Sequence, residues 1–157
     1  MAERLIRTPY DLGLWFTFLS GRTLPMTVSC VEGLDRSSQQ NRLMWKWASE
    51  VEQQQEQETS DEVQRRWKLD HGVPILCADD PAYRAFCRAA LGDLTYEQRL
   101  KAMKYIPVSS EMKVRQMVKF MDTIWRECAE QGMVLTNPDP DLATYQQRYR
   151  TPTARAA

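Results

Sequence analysis

Pro25-Met26-Thr27-Val28-Ser29-Cys30-Val31 alternates apolar and hydroxyl-bearing residues, with Met26, Val28 and Cys30 on one side and Thr27 and Ser29 on the other. A period of two puts alternate side chains on opposite faces of an extended chain. The stretch therefore predicts a half-buried β-strand, followed by a turn at Gly33. It decides the fold class, because its surroundings read as helical. Arg4 to Arg7 adds a second short candidate strand. With these strands the chain is expected to be α+β: mostly helical, with a small N-terminal antiparallel sheet. Isolated pairs of strands are marginal in water. Such a sheet must pack on helices or be completed across a homodimer interface.

Between the two candidate strands, Thr8-Pro9-Tyr10-Asp11 opens a helix, with Thr8 as N-cap and Pro9 at the first helical position. Leu12, Trp15, Phe16 and Leu19 share a face of it, and Gly21 ends it. Downstream, a long second helix is expected from about Ser38 to Gln57, burying Leu43, Met44, Trp47, Ala48 and Val51. Its end, Gln53 to Glu58, is polar all round and reads as exposed. Thr59-Ser60-Asp61-Glu62 caps a third helix to about Asp70, which Gly72-Val73-Pro74 should break. Asp80-Pro81 starts a fourth that ends near Gly92, and Thr95-x-x-Gln98 is the capping box of a fifth. Ser109 or Ser110 caps a sixth. There Val114, Met117, Val118, Met121, Ile124, Trp125 and Cys128 repeat with helical spacing up to Gly132. Asp139-Pro140 starts a final short helix. Residues 1–150 read as one domain and 151–157 as a disordered tail.

The 157 residues are 43% hydrophobic and 27% charged, which is ordinary for a globular domain with a real core. Lys+Arg and Asp+Glu balance at 21 each, so no global cationic field exists and any nucleic-acid contact must rest on local clustering. No apolar run approaches the ~20 residues that span a bilayer, and no signal-peptide pattern is present. Cys30, Cys77, Cys87 and Cys128 are widely spaced, with one histidine, His71. That spacing argues against a metal centre, and no cofactor is implied. An even count permits two disulfides, but free thiols in a reducing cytoplasm are the expectation.

Motifs for nucleotide binding and for serine hydrolases are missing. His71 precedes Gly72 at an expected helix end, where an imidazole interacts with terminal carbonyls. Asp79, Asp80 and Glu97 could form a metal-dependent nuclease cluster, although Asp80 already has a capping role before Pro81. Two local features suit an anion better. Arg36-Ser37-Ser38-Gln39-Gln40-Asn41-Arg42 places two guanidiniums, three amides and two hydroxyls in seven residues at a helix start, with Trp45 one turn on. Unpaired N–H groups and the macrodipole favour a phosphate there, while Ser37-x-x-Gln40 also serves as a plain capping box. Between Tyr96 and Phe120, Arg99, Lys101, Lys104, Lys113, Arg115 and Lys119 face only Glu97 and Glu111. Interleaved with Tyr96, Tyr105 and Ser109-Ser110, they could follow a single strand, cations on phosphates and rings on bases. Arg65-Arg66-Trp67-Lys68 adds three cations and an indole. Solvated charge and core packing account for the same residues, so a protein-binding adaptor stays open beside the DNA-binding and nuclease readings.

Read together, Arg36-Ser37-x-Gln39-Gln40-Asn41-Arg42-x-x-Trp45, the Trp67-Lys68 pair and Val108-Ser109-Ser110-x-Met112 before an amphipathic helix ending at Gly132 resemble the NinB/Orf family of phage recombination proteins. The likeness covers roughly residues 25–135. Gln39 stands where the family pattern has an acid, and residues 72–104 match no part of it. The resemblance implies a non-enzymatic homodimer in the cytoplasm of a bacterial host. It would bind single-stranded DNA and help load a recombinase on strands coated by single-strand binding protein, with that protein and the recombinase as candidate partners. Carried to this chain, Arg36, Arg42, Lys68 and Lys113 would contact phosphates. Ser37, Gln40 and Asn41 would add hydrogen bonds, Trp45 would stack, and Lys101, Lys104 and Ser109 would extend the groove.

Overall fold

A computed structural model describes Arg4, residues 6–30 and residues 36–150, with residues 36–38 described as backbone only. These fall into two compact units that divide after Arg36. The first holds one helix, α1 (Pro9–Ser20). Thr8 caps it as its sequence predicts: Thr8 Oγ1 accepts from the Asp11 N–H at 3.1 Å, and Asp11 Oδ2 accepts from the Thr8 N–H at 3.0 Å. α1 buries none of its residues. Its rings pack on one another instead, Trp15 stacking on Phe18 at 5.0 Å, with the Arg22 guanidinium 4.3 Å above the Phe18 ring.

The expected sheet is not formed. Among the described residues no β-strand exists, and the architecture is helical throughout, so the α+β expectation is corrected to all-α. Met26 and Val28, which the alternation places on a buried face, are 41% and 51% exposed, and Cys30 is exposed too. Alternation is a side-chain pattern. A strand also needs a neighbour to take up its N–H and C=O groups, and no described segment, Arg4 to Arg7 included, does so. Val31, the Gly33 turn and the tail 151–157 lie outside the described residues.

The second unit runs through α2 (Arg36–Gln55), α3 (Ser60–Trp67), a π-turn (Lys68–Gly72), α4 (Val73–Asp79), α5 (Pro81–Leu91), α6 (Tyr96–Ala102), a 3₁₀ turn (Ser109–Glu111), α7 (Val114–Glu130) and α8 (Pro140–Tyr149). The caps expected at Thr59, Asp80, Thr95 and Asp139 all accept backbone N–H bonds at their helix starts. α7 supplies the centre of the main core. Its Met117, Val118, Phe120, Met121, Ile124 and Cys128 are buried. Most of them meet Met44, Trp47, Ala48 and Val51 of α2, with Val63 and Trp67 of α3. A second core gathers Leu76, Tyr83, Cys87, Leu91, Met103 and Val108 around α4, α5 and α6.

Two local expectations are corrected. Gly72-Val73-Pro74 does not break a helix: α3, the π-turn and α4 form one rod, with backbone angles helical at Lys68, Gly72 and Val73. The Val73 N–H reaches back five residues to Lys68 O. This wider turn relieves the clash a proline ring makes with the preceding turn. Gly72 is required there by space, since a Cβ would lie 2.6 Å from Val108 Cγ1. α7 starts at Val114, past Ser109 and Ser110, which fold into the 3₁₀ turn. The polar end of α2 is exposed at Gln53, Gln54, Glu56 and Gln57, as its sequence predicts, although the helix stops at Gln55 and the Gln54 side chain is engaged. Gln54 Nε2 donates to Val134 O at 2.7 Å and Gln54 Oε1 accepts from Val134 N–H at 2.9 Å. Glu50 accepts from the Thr136 N–H at 2.8 Å, and Trp47 Nε1 donates to Thr136 O at 2.7 Å. Three α2 side chains thus satisfy the backbone of an extended strap after α7.

Candidate nucleic-acid interface

α2 sorts its residues by helical period. Met44, Trp47, Ala48 and Val51 point into the core, so Asn41, Arg42, Trp45 and Lys46 occupy the outer face, all exposed. Trp45 is 41% exposed, unusual for an indole with a core a single residue away. Residues spaced three and four apart are neighbours on a helix, so Trp45 lies beside Asn41 and Arg42, and Lys46 beside Arg42. Lys46 belongs to this face although the motif did not single it out; its i+4 spacing from Arg42 was the available signal.

Gln40 does not join them. It is 3% exposed and its Nε2 has no hydrogen-bond partner, so its amide is withdrawn from the surface. The helix opens at Arg36, placing Ser37 inside the first turn rather than ahead of it as a cap. The side chains of Arg36 and Ser37 lie outside the described residues.

The second cationic run divides into free and committed groups. Lys101, Lys104, Lys113, Arg115 and Lys119 are exposed. Lys104 Nζ sits 5.9 Å from the Tyr105 ring centre, and Tyr105 is 81% exposed. Ser109 is half-buried at the head of the 3₁₀ turn, and its carbonyl accepts from Met112 N–H. Lys113 heads α7; its N–H donates to Gln116 Oε1 at 2.8 Å, and Gln116 Nε2 donates to Asp79 Oδ2 at 3.0 Å. A carboxylate therefore already stands at the start of α7. Arg99 is spent on structure: its Nε and NH2 groups donate to the carbonyls of Leu91, Leu94 and Gly92, closing the end of α5.

Arg65-Arg66-Trp67-Lys68 is mostly an internal device, not a phosphate clamp. Trp67 is buried. Arg65 pairs with Asp61. Arg66 donates to both oxygens of Glu58 and, at 3.0 Å, to Glu127 Oε1. Glu127 Oε2 also meets His71 Nε2, so His71 is tied to α7 from within the rod and does not cap a helix end. Burial opposes the Arg66 charge, but Glu58 and Glu127 outweigh it and raise its pKa. Tyr96 OH donates to Asp70 at 3.0 Å, and burial together with that carboxylate raises its pKa. Lys68 is half-buried, and burial lowers its pKa.

The carboxylates of the nuclease reading are not brought together as a metal cradle. Asp80 Oδ1 accepts from the Ala82 and Tyr83 N–H groups at 2.9 and 3.1 Å, Asp79 holds Gln116, and Glu97 lies exposed in the first turn of α6. Among the described residues no three His, Cys, Asp or Glu side chains are placed to share a metal ion, and no helix is long and apolar enough to cross a membrane. The structure brings Asn41, Arg42, Trp45 and Lys46 onto one face, and Lys104 beside Tyr105, while withdrawing Gln40 and Arg66. The chain matches no protein-family model, no curated protein and no solved structure, so these surfaces are read from their own residues.

Proposed function

We propose that this protein binds single-stranded DNA without cutting it, through the outer face of α2 and the cations of the stretch from α6 to the head of α7. The observation that carries this is Trp45: an indole held outward on a well-packed helix, with Asn41, Arg42 and Lys46 around it. A base stacks on the ring, and Arg42 and Lys46 take the flanking phosphates. Asn41 reaches a phosphate or an exposed base edge. Lys101, Lys104 and Lys113, with Tyr105, supply a second run of the same chemistry. Because the whole chain is neutral, binding depends on these few contacts and salt weakens it moderately. In the recombination role that the NinB/Orf resemblance suggests, a homodimer would present two such faces to one strand and gain avidity. It would then assist recombinase loading on strands covered by single-strand binding protein.

Fluorescence anisotropy with a labelled oligonucleotide across a salt series tests the proposal. Trp45→Ala should weaken binding by about 1–3 kcal/mol, the value of one base–ring stack. Arg42→Ala should lower the salt slope by about 0.7, one phosphate contact on a single strand. Both side chains point outward, so circular dichroism should stay unchanged. Equal affinity and slope in both variants would sink the proposal.

A further inference from the structure

α1 is a helix without a core. It is strongly apolar, its apolar residues run all round it, and it buries none of them. A helix of that kind belongs in an interior. With twelve residues it is also marginal in water on its own, because helices in proteins draw most of their stability from packing. The Thr8–Asp11 capping box holds its first turn, and the stack of Trp15 on Phe18, with Arg22 above, half-buries one side. The opposite side is open. Phe16 is exposed there beside Gly13, where a Cβ would meet nothing within 4 Å. Of the thirteen large apolar side chains exposed among the described residues, eight lie between Ile6 and Val28, including Tyr10, Leu12, Leu14 and Leu24. Together they leave roughly 800 Å² of apolar surface in water, more than the ~300–600 Å² of the largest patch on a typical monomer and close to the ~800 Å² that each partner gives to a standard interface.

We propose that the first unit is a self-association element, in which a second copy of this chain covers α1 about a two-fold axis. The exposed area decides the occupant. A two-fold interface uses the same patch on both subunits, so two first units together bury roughly 1,600 Å², the size of a standard stable interface. Surfaces of this size hold proteins together at micromolar concentration or below. A lipid surface fits less well, since a helix lying in it needs a polar face for the water and α1 has none. The bare backbone at Gly13 lets a second helix come close and leaves a hollow that the second copy's Phe16 fills. The proposal stands on the exposed residues of the first unit and does not rest on nucleic-acid binding.

Sedimentation velocity of the full-length protein without DNA, from sub-micromolar to tens of micromolar, is the test. The wild-type chain should pass from monomer to dimer within or below that range, and hydrogen exchange at the α1 amides should slow as the dimer fills. Phe16→Glu should raise the dimer dissociation constant by about a hundredfold, because a two-fold interface loses each contact twice. Leu12→Glu should act in the same direction. Phe86→Glu, which puts the same charge on an exposed ring of α5, should leave the dimer unchanged. A wild-type chain that stays monomeric throughout would overturn the proposal, and so would a dimer that both α1 variants leave intact. A monomer whose α1 amides are protected only by added phosphatidylglycerol vesicles would overturn it in favour of a lipid surface. Wild-type exchange and sedimentation decide the matter by themselves, so a misfolded variant leaves the outcome clear.

Discussion

Arg66 shows how one side chain changes meaning between sequence and fold. Beside Arg65 and Lys68 it looks like part of a cationic patch. In the fold it bridges Glu58 and Glu127, the latter 61 residues away, at 19% side-chain exposure. Removing it leaves two half-buried carboxylates without their cation. Arg66→Ala should therefore cost roughly 2–4 kcal/mol in urea denaturation. Lysine should restore little, because it cannot serve two carboxylates with a planar fork. A loss below about 0.5 kcal/mol would show the network to be solvated. Trp45 and Gln40 make the complementary pair. The outward position of Trp45 is legible from its offset against the Leu43–Trp47–Val51 stripe. The burial of Gln40 was not, because its polarity conceals that it lies one turn before Met44 on the same inward face.

At the scale of elements, the helix starts at Thr8, Thr59, Asp80, Thr95 and Asp139 follow from local sequence, since a cap needs only partners within three residues, whereas those of α2 and α7 do not fall at Ser37 or at Ser109 and Ser110. Thr59 and Glu62 are such a pair: Glu62 accepts from the Thr59 N–H at 2.8 Å, and that bond with the Thr59 hydroxyl lowers its pKa below 4.5. The sign follows from linkage. A carboxylate with a lowered folded-state pKa binds fewer protons than in the unfolded chain, so its contribution is complete above about pH 4.5 and fades as pH falls through the folded value. Glu62→Gln should flatten the loss of helix content by far-UV circular dichroism in that acidic window and change little near neutrality. The π-turn was not legible, because Gly72 and Pro74 are ordinary helix breakers by propensity. The rod passes Pro74 through the wider Val73 N–H to Lys68 O turn, and Val108 packs so close to Gly72 that a Cβ has no room there. Gly72→Ala should cost about 1–3 kcal/mol through overpacking, and Val108→Ala in the same chain should recover part of it. The strap gives an independent check. Gln54→Ala should destabilise by about 1–2 kcal/mol and speed amide exchange at Val134, whose N–H it receives.

Across the whole molecule, the second unit is built around α7, which meets the main core along most of its length. Phe120 is fully buried there and also lies near the Gly72 turn. Phe120→Ala should cost about 3–5 kcal/mol and lower the melting temperature by roughly 2–4 °C for each of them, read by calorimetry. The first unit is of a different kind: α1 is apolar yet buries no residue, with Tyr10 74% and Phe16 60% exposed. The proposed DNA face belongs to the second unit alone; Asn41, Arg42, Trp45 and Lys46 are held on the packed helix α2 and Lys101 on α6, while Lys104 and Tyr105 lie in the turn after α6 and Lys113 caps α7.

By itself the sequence determined most of the helix starts, which stripes of α2 and α7 face inward, and that Trp45 stands away from the α2 stripe. These depend on residues three or four apart, whose proximity any helix guarantees. Tertiary structure alone decided that the alternating residues 25–30 form no strand, that the rod passes through Pro74, and that Arg66, His71 and Gln54 are engaged by groups 56 to 80 residues away. A strand, a buried ion network and a clamped strap each need a partner from elsewhere in the chain, and only packing brings that partner within reach.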